Sequence, residues 1–273
     1  MITIFSCPKP FRGHIDTIQR NAIRSWTVLK PTPEIILIGD EYGSAEICNE
    51  FGIYHINEVE RNEFGTPLVN DLFGKAEKVA SNSLMCYVNT DIIFMSDFIP
   101  AVRMASKEKP GSLLVGRRLN VDLSQRLDFS KNWETFLEYL VAKQGKAHNH
   151  TAMDYFVFSK GLWDKIPPFA LGRTMWDNWL VYGIRSKNIP VVDMSEMTKV
   201  VHQEHDYDHY PGGIKALWEG EEARENIELA GGYGHAYSLR DATYRLTRKG
   251  LKRKIFIPIV SYYYKIIYQY IVS

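Results

Sequence analysis

The chain has 273 residues, of which 45% are hydrophobic and 24% are charged, with a formal net charge of +1 at pH 7. This length and composition are typical of a globular protein with a substantial core, and they exclude a disordered or fibrous chain. A net charge so close to zero gives no argument for a nucleic-acid partner, and we expect none.

The first eighty residues alternate strand and helix signals. A short β-rich segment opens the chain at residues 2–6, where a basic signal-peptide region is absent. Apolar side chains at helical spacing, beginning at a capping-box variant at Asp16, predict a helix that ends before Pro31. The next predictions are strand 34–39, helix 44–52, strand 53–56 and helix 68–81.

The central motif of the sequence is an apolar run, 84–88, followed by Asn89-Thr90-Asp91 and a second apolar run. Consecutive apolar residues without helical spacing indicate a strand that is buried on both faces. Polar residues at its carboxyl end lie where open α/β sheets bind their ligands. A carboxylate there can bind a hard divalent cation through oxygen.

The later sequence continues the alternation. Strands are predicted at 112–115, 155–159 and 189–193, helices at 132–143 and 176–187, and loops at 120–131 and 145–151. Alternating elements of this kind predict an α/β fold with a mainly parallel sheet flanked by helices. Three widely spaced cysteines form neither a disulfide framework nor a CxxC site, which favours a reducing cytoplasm.

Several polar features follow predicted strands and are expected at one sheet edge. They are Ser6, Cys7 and Pro8, then Asp40, then Asn89 with Asp91, and finally Arg117 with Arg118. Their convergence would suit a nucleotide-binding crevice. Neither GxGxxG nor a P-loop motif follows the first strand, so a nucleotide would bind without a glycine cradle.

At this point the chain resembles the GT-A glycosyltransferases, especially the family-2-like enzymes that use nucleotide-diphosphate sugars. The resemblance covers roughly residues 1–205 and implies a Rossmann-like GT-A fold. It implies nucleotide-binding roles for Ser6, Cys7, Pro8, Asp40, Lys75 and Asn89. The family's DxD motif corresponds to Asn89-Thr90-Asp91, with Asp91 as the ligand of Mn²⁺ or Mg²⁺. Because the first Asp is Asn here, a further metal ligand is expected, and the resemblance points to His202.

The resemblance also implies an acceptor side. Asp177 corresponds to the family's general base, which removes the proton of the attacking hydroxyl. Trp176 and Trp179 would flank a sugar, and Asp154 and Arg117 would bind donor or acceptor groups. Simpler interpretations remain open: a turn for residues 89–91, a solvated Lys75, a buried structural His202, and a helix N-terminal acid at Asp177.

The last part of the chain, 241–273, is predicted to form a basic and aromatic helical tail after a GT-A domain at 1–240. Residues 242–273 contain seven Lys or Arg and no acid, and apolar side chains recur at helical spacing from Phe256. A proline and several tyrosines make this segment a poor transmembrane span. An amphipathic helix on an anionic membrane surface is favoured, and packing on the domain or on a second subunit is the alternative.

Together these features predict a cytoplasmic, metal-dependent glycosyltransferase, peripheral on the inner face of the membrane. Its partners would be a nucleotide-sugar donor and a glycan or lipid-linked acceptor. Three alternatives remain: a sugar nucleotidyltransferase, a metal-dependent hydrolase built on His202, His205 and His209, and a non-catalytic carbohydrate-binding protein.

Overall fold

The computed structural model describes residues 1–205 and 213–254 and contains two sheets. The larger sheet has nine strands in the order β13-β12-β10-β6-β9-β4-β1-β2-β3. Their bounds are β1 Ile2–Ser6, β2 Glu34–Ile38, β3 Tyr54–Ile56, β4 Leu84–Val88, β6 Leu113–Val115, β9 Tyr155–Ser159, β10 Val191–Asp193, β12 Tyr244–Thr247 and β13 Gly250–Arg253. The smaller sheet contains β5 Ile92–Phe94, β11 Val200–Gln203, β7 Leu119–Val121 and β8 Lys146–Ala147, in that order.

Helices cover both faces of the larger sheet. They are α1 Gly13–Thr27, α2 Ser44–Phe51, α3 Val69–Val79, α4 Phe98–Glu108, α5 Trp133–Gln144, α6 Trp176–Arg185, α7 Gly213–Glu219 and α8 Glu221–Leu229. Successive residues of β1 face opposite sides: Ile4 packs in the core with α1, α2 and α4, and Phe5 packs in the core with α3 and α6. This three-layer arrangement confirms the predicted α/β class.

Most strands of the larger sheet run parallel, and β9 is the internal exception. It pairs antiparallel with both β4 and β6, whereas β1, β2, β3 and β4 are parallel to one another, as are β6, β10 and β12. The carboxyl ends of the parallel strands therefore share one edge with the amino end of β9. This topology brings the residue before β9, Asp154, beside the end of β4.

The smaller sheet was not predicted as a unit. Residues 120–131 and 145–151 were expected to be loops, but parts of them form β7 and β8. These strands are only two and three residues long, so they carry too little periodicity to be recognised in the sequence. Helix α4 was also missed, although Pro100 lies in its first turn, a position that a helix tolerates.

The predicted helical tail needs correction in its described part. Residues 244–253 form the β12–β13 hairpin, and β12 pairs in parallel with β10, so the larger sheet extends to Arg253. Leu246 is fully buried in the core, which binds the hairpin to the domain. The aromatic part of the predicted tail, 255–273, lies outside the described residues. Within the described residues, no helix is both long enough and apolar enough to span a bilayer.

Candidate active site

A three-residue connection between β4 and β5 forms the centre of the site. Thr90 is buried, and its hydroxyl donates to Oε1 of Gln19 at 2.8 Å. Gln19 lies on α1 and also pairs with the backbone of Lys9, accepting from its N–H at 2.7 Å and donating to its carbonyl at 2.8 Å. One glutamine therefore fixes both the loop after β1 and the Asn89-Thr90-Asp91 turn.

Asp91, His202 and His205 form a cluster that fits a metal ion. Their ligand atoms lie within 4.8 Å of one another. Oδ2 of Asp91 is 3.7 Å from Nε2 of His202 and 3.4 Å from Nε2 of His205. The antiparallel pairing of β11 with β5, in which His202 is opposite Ile92, explains why these distant residues meet.

The chemistry of this cluster also fits a divalent cation. Oδ1 of Asp91 is buried and has no hydrogen-bond partner among the described residues, which leaves it available to a cation. One carboxylate and two imidazoles form a mixed oxygen and nitrogen donor set of the kind that Mn²⁺ accepts. Asp91 and His202 were predicted ligands, whereas His205 was considered only in the hydrolase alternative.

The electrostatics of the cluster keep Asp91 ionised. Burial alone would raise the pKa of Asp91, but His202, the hydrogen bond with His205 and the charge of Lys9 outweigh it and hold that pKa below its ordinary value. Burial lowers the pKa of His202, which favours the neutral imidazole that metals bind. Nζ of Lys9 lies 3.4 Å from Nε2 of His205, and burial lowers the pKa of Lys9 as well.

A second cluster lies where β9 begins. Oδ1 of Asp154 accepts from Nδ2 of Asn89 at 2.9 Å and from Nη1 of Arg118 at 2.6 Å. Oδ1 of Asn89 accepts from the hydroxyl of Tyr87 at 2.8 Å. Oδ2 of Asp154 is buried without a partner in residues 1–205 and 213–254. The Asn89 amide at the end of β4 thus holds the carboxylate of the residue that precedes β9.

Asp177 is the second residue of α6, which begins directly after Met175, and the φ of 80° at Met175 is unusual for a residue other than glycine. The backbone N–H groups of Asn178 and Met153 bind its carboxyl group. Desolvation, with a contribution from the Asp154 carboxylate, nevertheless raises the pKa of Asp177 to about 7. A pKa near neutrality suits a residue that must accept a proton.

The two tryptophans beside Asp177 pack in the core. Trp176 is only 4% exposed, and its ring meets Tyr87 edge to face at 5.3 Å. Trp179 packs against Phe169 with ring centroids 5.5 Å apart. The Trp176 ring lies against the sheet residues Tyr87 and Phe156, so it offers little surface to a sugar, whereas Trp179 is partly buried.

The last residue of β1, Ser6, and the two residues that follow it are buried. The hydroxyl of Ser6 donates to the carbonyl of Val88 at 2.5 Å, which ties the ends of β1 and β4 together. Burial raises the pKa of the Cys7 thiol to about 12, so it stays neutral. Pro8 is buried too. The side chains of Ser6, Cys7 and Pro8 therefore shape this edge of the sheet from within.

The remaining nucleotide candidates are exposed or paired. The Asp40 side chain is 62% exposed, and the hydrogen bond from Arg61 at 2.7 Å lowers its pKa. Arg61 also binds Glu41 at 2.9 Å and was not predicted. Lys75 forms an ion pair with Asp71 one helical turn away at 3.0 Å.

Arg117 points away from the Asp154 cluster that its neighbour Arg118 joins. Its guanidinium donates from Nε at 3.0 Å and from Nη2 at 2.7 Å to the carbonyl of His148, and its backbone N–H donates to Oγ of Ser195.

Arg118, Lys9 and His205 were the functional candidates that sequence reasoning missed or left aside. The three-residue spacing from His202 to His205 was the available signal for His205.

Comparisons with known proteins address the fold. No family model matches the chain, and a search of curated proteins gives no match either. Among solved structures, Staphylococcus aureus TarS (residues 1–349) in complex with UDP-GlcNAc gives a TM-score of 0.55 at 10% identity, covering 86% of this chain and 66% of that one. Mycobacterium tuberculosis glucosyl-3-phosphoglycerate synthase gives 0.50 at 13% identity, covering 85% and 81%. A second structure of TarS residues 1–349 also gives a TM-score of 0.50, at 9% identity, and this chain spans 60% of its length. The chain therefore has the GT-A fold of nucleotide-sugar transferases, as predicted.

Proposed function

We propose that this protein is a glycosyltransferase that moves a sugar from a nucleoside-diphosphate donor to a glycan or lipid-linked acceptor. The observation that carries the proposal is the Asp91, His202 and His205 cluster at the carboxyl end of the central strand of a GT-A fold. A nucleotide diphosphate carries two or three negative charges and needs a counter-charge where it binds. A divalent cation held by these three residues would supply it.

A bound Mn²⁺ or Mg²⁺ would neutralise the charge of the departing nucleoside diphosphate. The protein's own groups would do the rest. Lys9 adds positive charge beside the cluster, and Arg118 together with Oδ2 of Asp154 can bind donor hydroxyls. Backbone atoms after β1, with Asp40, Lys75 and Asn89 around them, would bind the nucleoside.

Asp177 is the proposed general base of an inverting transfer. Its carboxyl group is close enough to Asp154 for the two charges to interact, and its pKa of about 7 allows proton uptake at neutral pH. A carboxylate in this place would take the proton of the acceptor hydroxyl as it attacks the anomeric carbon.

We further propose that the enzyme is cytoplasmic and that residues 245–273 bring it to anionic membranes.

Calorimetry with UDP, GDP and dTDP, in Mn²⁺, Mg²⁺ and EDTA, tests the donor site. One nucleotide should bind with metal and lose its affinity in EDTA. Asp91→Ala should abolish metal-dependent binding, because it removes the ionised carboxylate of the cluster. Asp164→Ala is the matched control, since Asp164 is an exposed acid paired with Lys187 on the surface. Equal binding by wild type and Asp91→Ala would refute the metal assignment.

A metal-dependent hydrolase is the second candidate, because the structure brings together two of its three histidines, His202 and His205, while His209 lies outside the described residues. Product analysis separates the two functions. A transferase gives a glycosylated acceptor and a nucleoside diphosphate in equal amounts. A hydrolase gives free sugar whether or not an acceptor is present.

A further inference from the structure

A cavity of about 330 Å³ lies at the other end of the smaller sheet from the Asp91 cluster. Its lining includes Asp97, which follows β5, and Lys199, which precedes β11. Because β5 and β11 are antiparallel, Asp91 and His202 lie at the opposite end of the same strand pair. Lys199 and His202 are three positions apart on extended chain, which places their backbones about 10 Å from each other. The cavity is therefore a separate site.

Two arginines that line the cavity, Arg117 and Arg248, form no ion pair with a carboxylate of the described residues. Arg117 uses Nε and Nη2 on the neutral carbonyl of His148. Arg248, in the turn of the β12–β13 hairpin, is exposed and forms no ion pair with any described residue. Lys199 also lines the cavity but is paired with Glu138 at 2.5 Å. The opposing charges in the lining are Asp97 and the exposed Glu196.

The surface around Arg248 strengthens this positive field. Four further basic side chains of the hairpin are exposed without an ion pair in the described part of the chain: Arg245, Lys249, Lys252 and Arg253. Arg245 is directly opposite Lys252, a pairing of like charges that weakens a hairpin. The pKa of His150 is lowered, first by burial and then by Arg117 and Arg240. This field would draw an anion towards the cavity.

The cavity also offers an acceptor for a hydroxyl group. Oδ2 of Asp97 accepts from the backbone N–H of Lys199 at 2.9 Å. Oδ1 of Asp97 is buried and has no partner among the described residues. A buried carboxylate oxygen without a donor is costly, so a ligand that donates a hydroxyl here would gain binding energy. The preferred ligand should therefore carry both hydroxyl groups and an anionic group.

We propose that this cavity binds a phosphate ester of a sugar or polyol, with the phosphate between Arg117 and Arg248 and a hydroxyl on Asp97. Guanidinium groups bind phosphate oxygens in pairs, and the volume accommodates a molecule of this size. Arg117 follows β6 and Arg248 follows β12, so the cavity lies at the same edge of the larger sheet as Asp177. The further identification of the ligand as part of the acceptor rests on the proposed function, whereas phosphate-ester binding itself does not.

The direct test is calorimetry with sn-glycerol 3-phosphate in EDTA, which prevents binding through a metal. Wild type should bind it and should not bind glycerol. Arg248→Gln should weaken binding about tenfold or more, because a charge-assisted hydrogen bond is lost. Lys249→Gln removes the same charge from the same turn but does not line the cavity, and should change affinity less than about twofold. No binding by wild type, or equal losses in both variants, would overturn the proposal.

Two further experiments distinguish a lipid headgroup from a soluble phosphate ester as the ligand, and the cavity proposal from the donor-site proposal. The first comparison measures binding of the protein to phosphatidylglycerol vesicles. If soluble glycerol phosphate releases wild type from the vesicles, and if Arg248→Gln binds them poorly, the source of the phosphate ester is a lipid headgroup. Vesicle binding that glycerol phosphate leaves unchanged would identify a soluble phosphate ester. UDP binding with Mn²⁺ should be the same in wild type and Arg248→Gln. If UDP binds and glycerol phosphate does not, only the cavity proposal fails; the reverse result refutes only the donor site.

Discussion

Asp91 and Asp177 are two carboxylates whose surroundings change their pKa values in opposite directions. Histidines and a lysine hold Asp91 ionised, whereas desolvation and Asp154 raise the pKa of Asp177 to about 7. Pairs of acids whose pKa values are pushed apart commonly divide the work of a reaction. Here the ionised acid suits cation binding, and the acid that titrates near neutrality suits proton transfer.

Replacing Asp177 by Asn should lower turnover by about 10²-fold or more, since the amide cannot accept the proton. The donor should still bind, because Asp177 does not belong to the metal cluster. In wild type, turnover should be low at pH 5.5, reach half its maximum near the pKa of about 7 and level off above about pH 8, following deprotonation of Asp177. Steady-state kinetics from pH 5.5 to 9 with saturating donor measure both effects.

The slow residual rate of Asp177→Asn should lack this rise with pH, which separates a base from a residue that only maintains structure. Thermal unfolding and UDP binding of the variant serve as controls for folding. Near-normal turnover in Asp177→Asn would remove this residue from the mechanism and make a retaining transfer more plausible.

Restoring the first acid of the motif, by Asn89→Asp, should destabilise the protein. The Asn89 amide now donates to Oδ1 of Asp154 at 2.9 Å, and a carboxylate in its place would face another carboxylate. The loss should be about 1–3 kcal/mol at pH 8, reduced somewhat by Arg118. The repulsion raises the folded-state pKa of the pair, so the loss should shrink as pH falls from 8 to 5 and a proton is taken up.

Urea unfolding at pH 8 and pH 5 measures this effect, with Asn89→Ala as the variant that removes the hydrogen bond without adding charge. A loss that is the same at both pH values would contradict the account, as would an Asp variant as stable as wild type.

At the scale of elements, strand pairing decides which acids meet. Asp154 reaches Asn89 because β9 runs against β4, and the histidines reach Asp91 because β11 runs against β5. Both strands are short, with five residues in β9 and four in β11, and their direction and partner follow from packing that sequence periodicity does not encode. Sequence reasoning could therefore propose Asp91 and His202 individually as candidate ligands, through resemblance to a family, but not the contacts of Asp154.

The β12–β13 hairpin makes a testable prediction of its own. Lys252→Glu would turn the Arg245–Lys252 pairing of like charges into an opposite-charge pair, raising the free energy of unfolding by about 0.2–1 kcal/mol. Lys249→Glu introduces the same charge change in the turn, without a partner strand opposite, and should have a smaller effect. Urea unfolding at low salt tests this, and the difference should decrease at high salt. An equal gain in both variants would indicate only a general effect of net charge.

For the whole molecule, the order of alternating elements was enough to predict the three-layer architecture and the sheet edge at which the site lies. It was not enough to predict where the domain ends. The basic residues 245–253 looked like the start of a separate helix, because exposed Lys and Arg concealed the buried Leu246 between them. The side chains of Ser6, Cys7 and Trp176 were predicted to meet ligands, yet they are buried, since residues at strand and helix ends can face inward as well as outward.

The hairpin changes how membrane attachment should be tested. Truncation near Thr243 would remove two strands of the sheet and expose the core around Leu246, so the chain should instead end at Lys254. If residues 255–273 supply membrane affinity, full-length protein should sediment with phosphatidylglycerol vesicles while the shortened protein stays in solution, and both should bind UDP with Mn²⁺ alike. The hairpin's basic residues, each worth on the order of 1 kcal/mol near an anionic surface, could retain some affinity at low salt. Repeating the sedimentation at high salt separates that electrostatic part from apolar insertion, which salt does not weaken. Equal sedimentation of both proteins at every salt concentration would show that residues 255–273 do not attach the protein to the membrane.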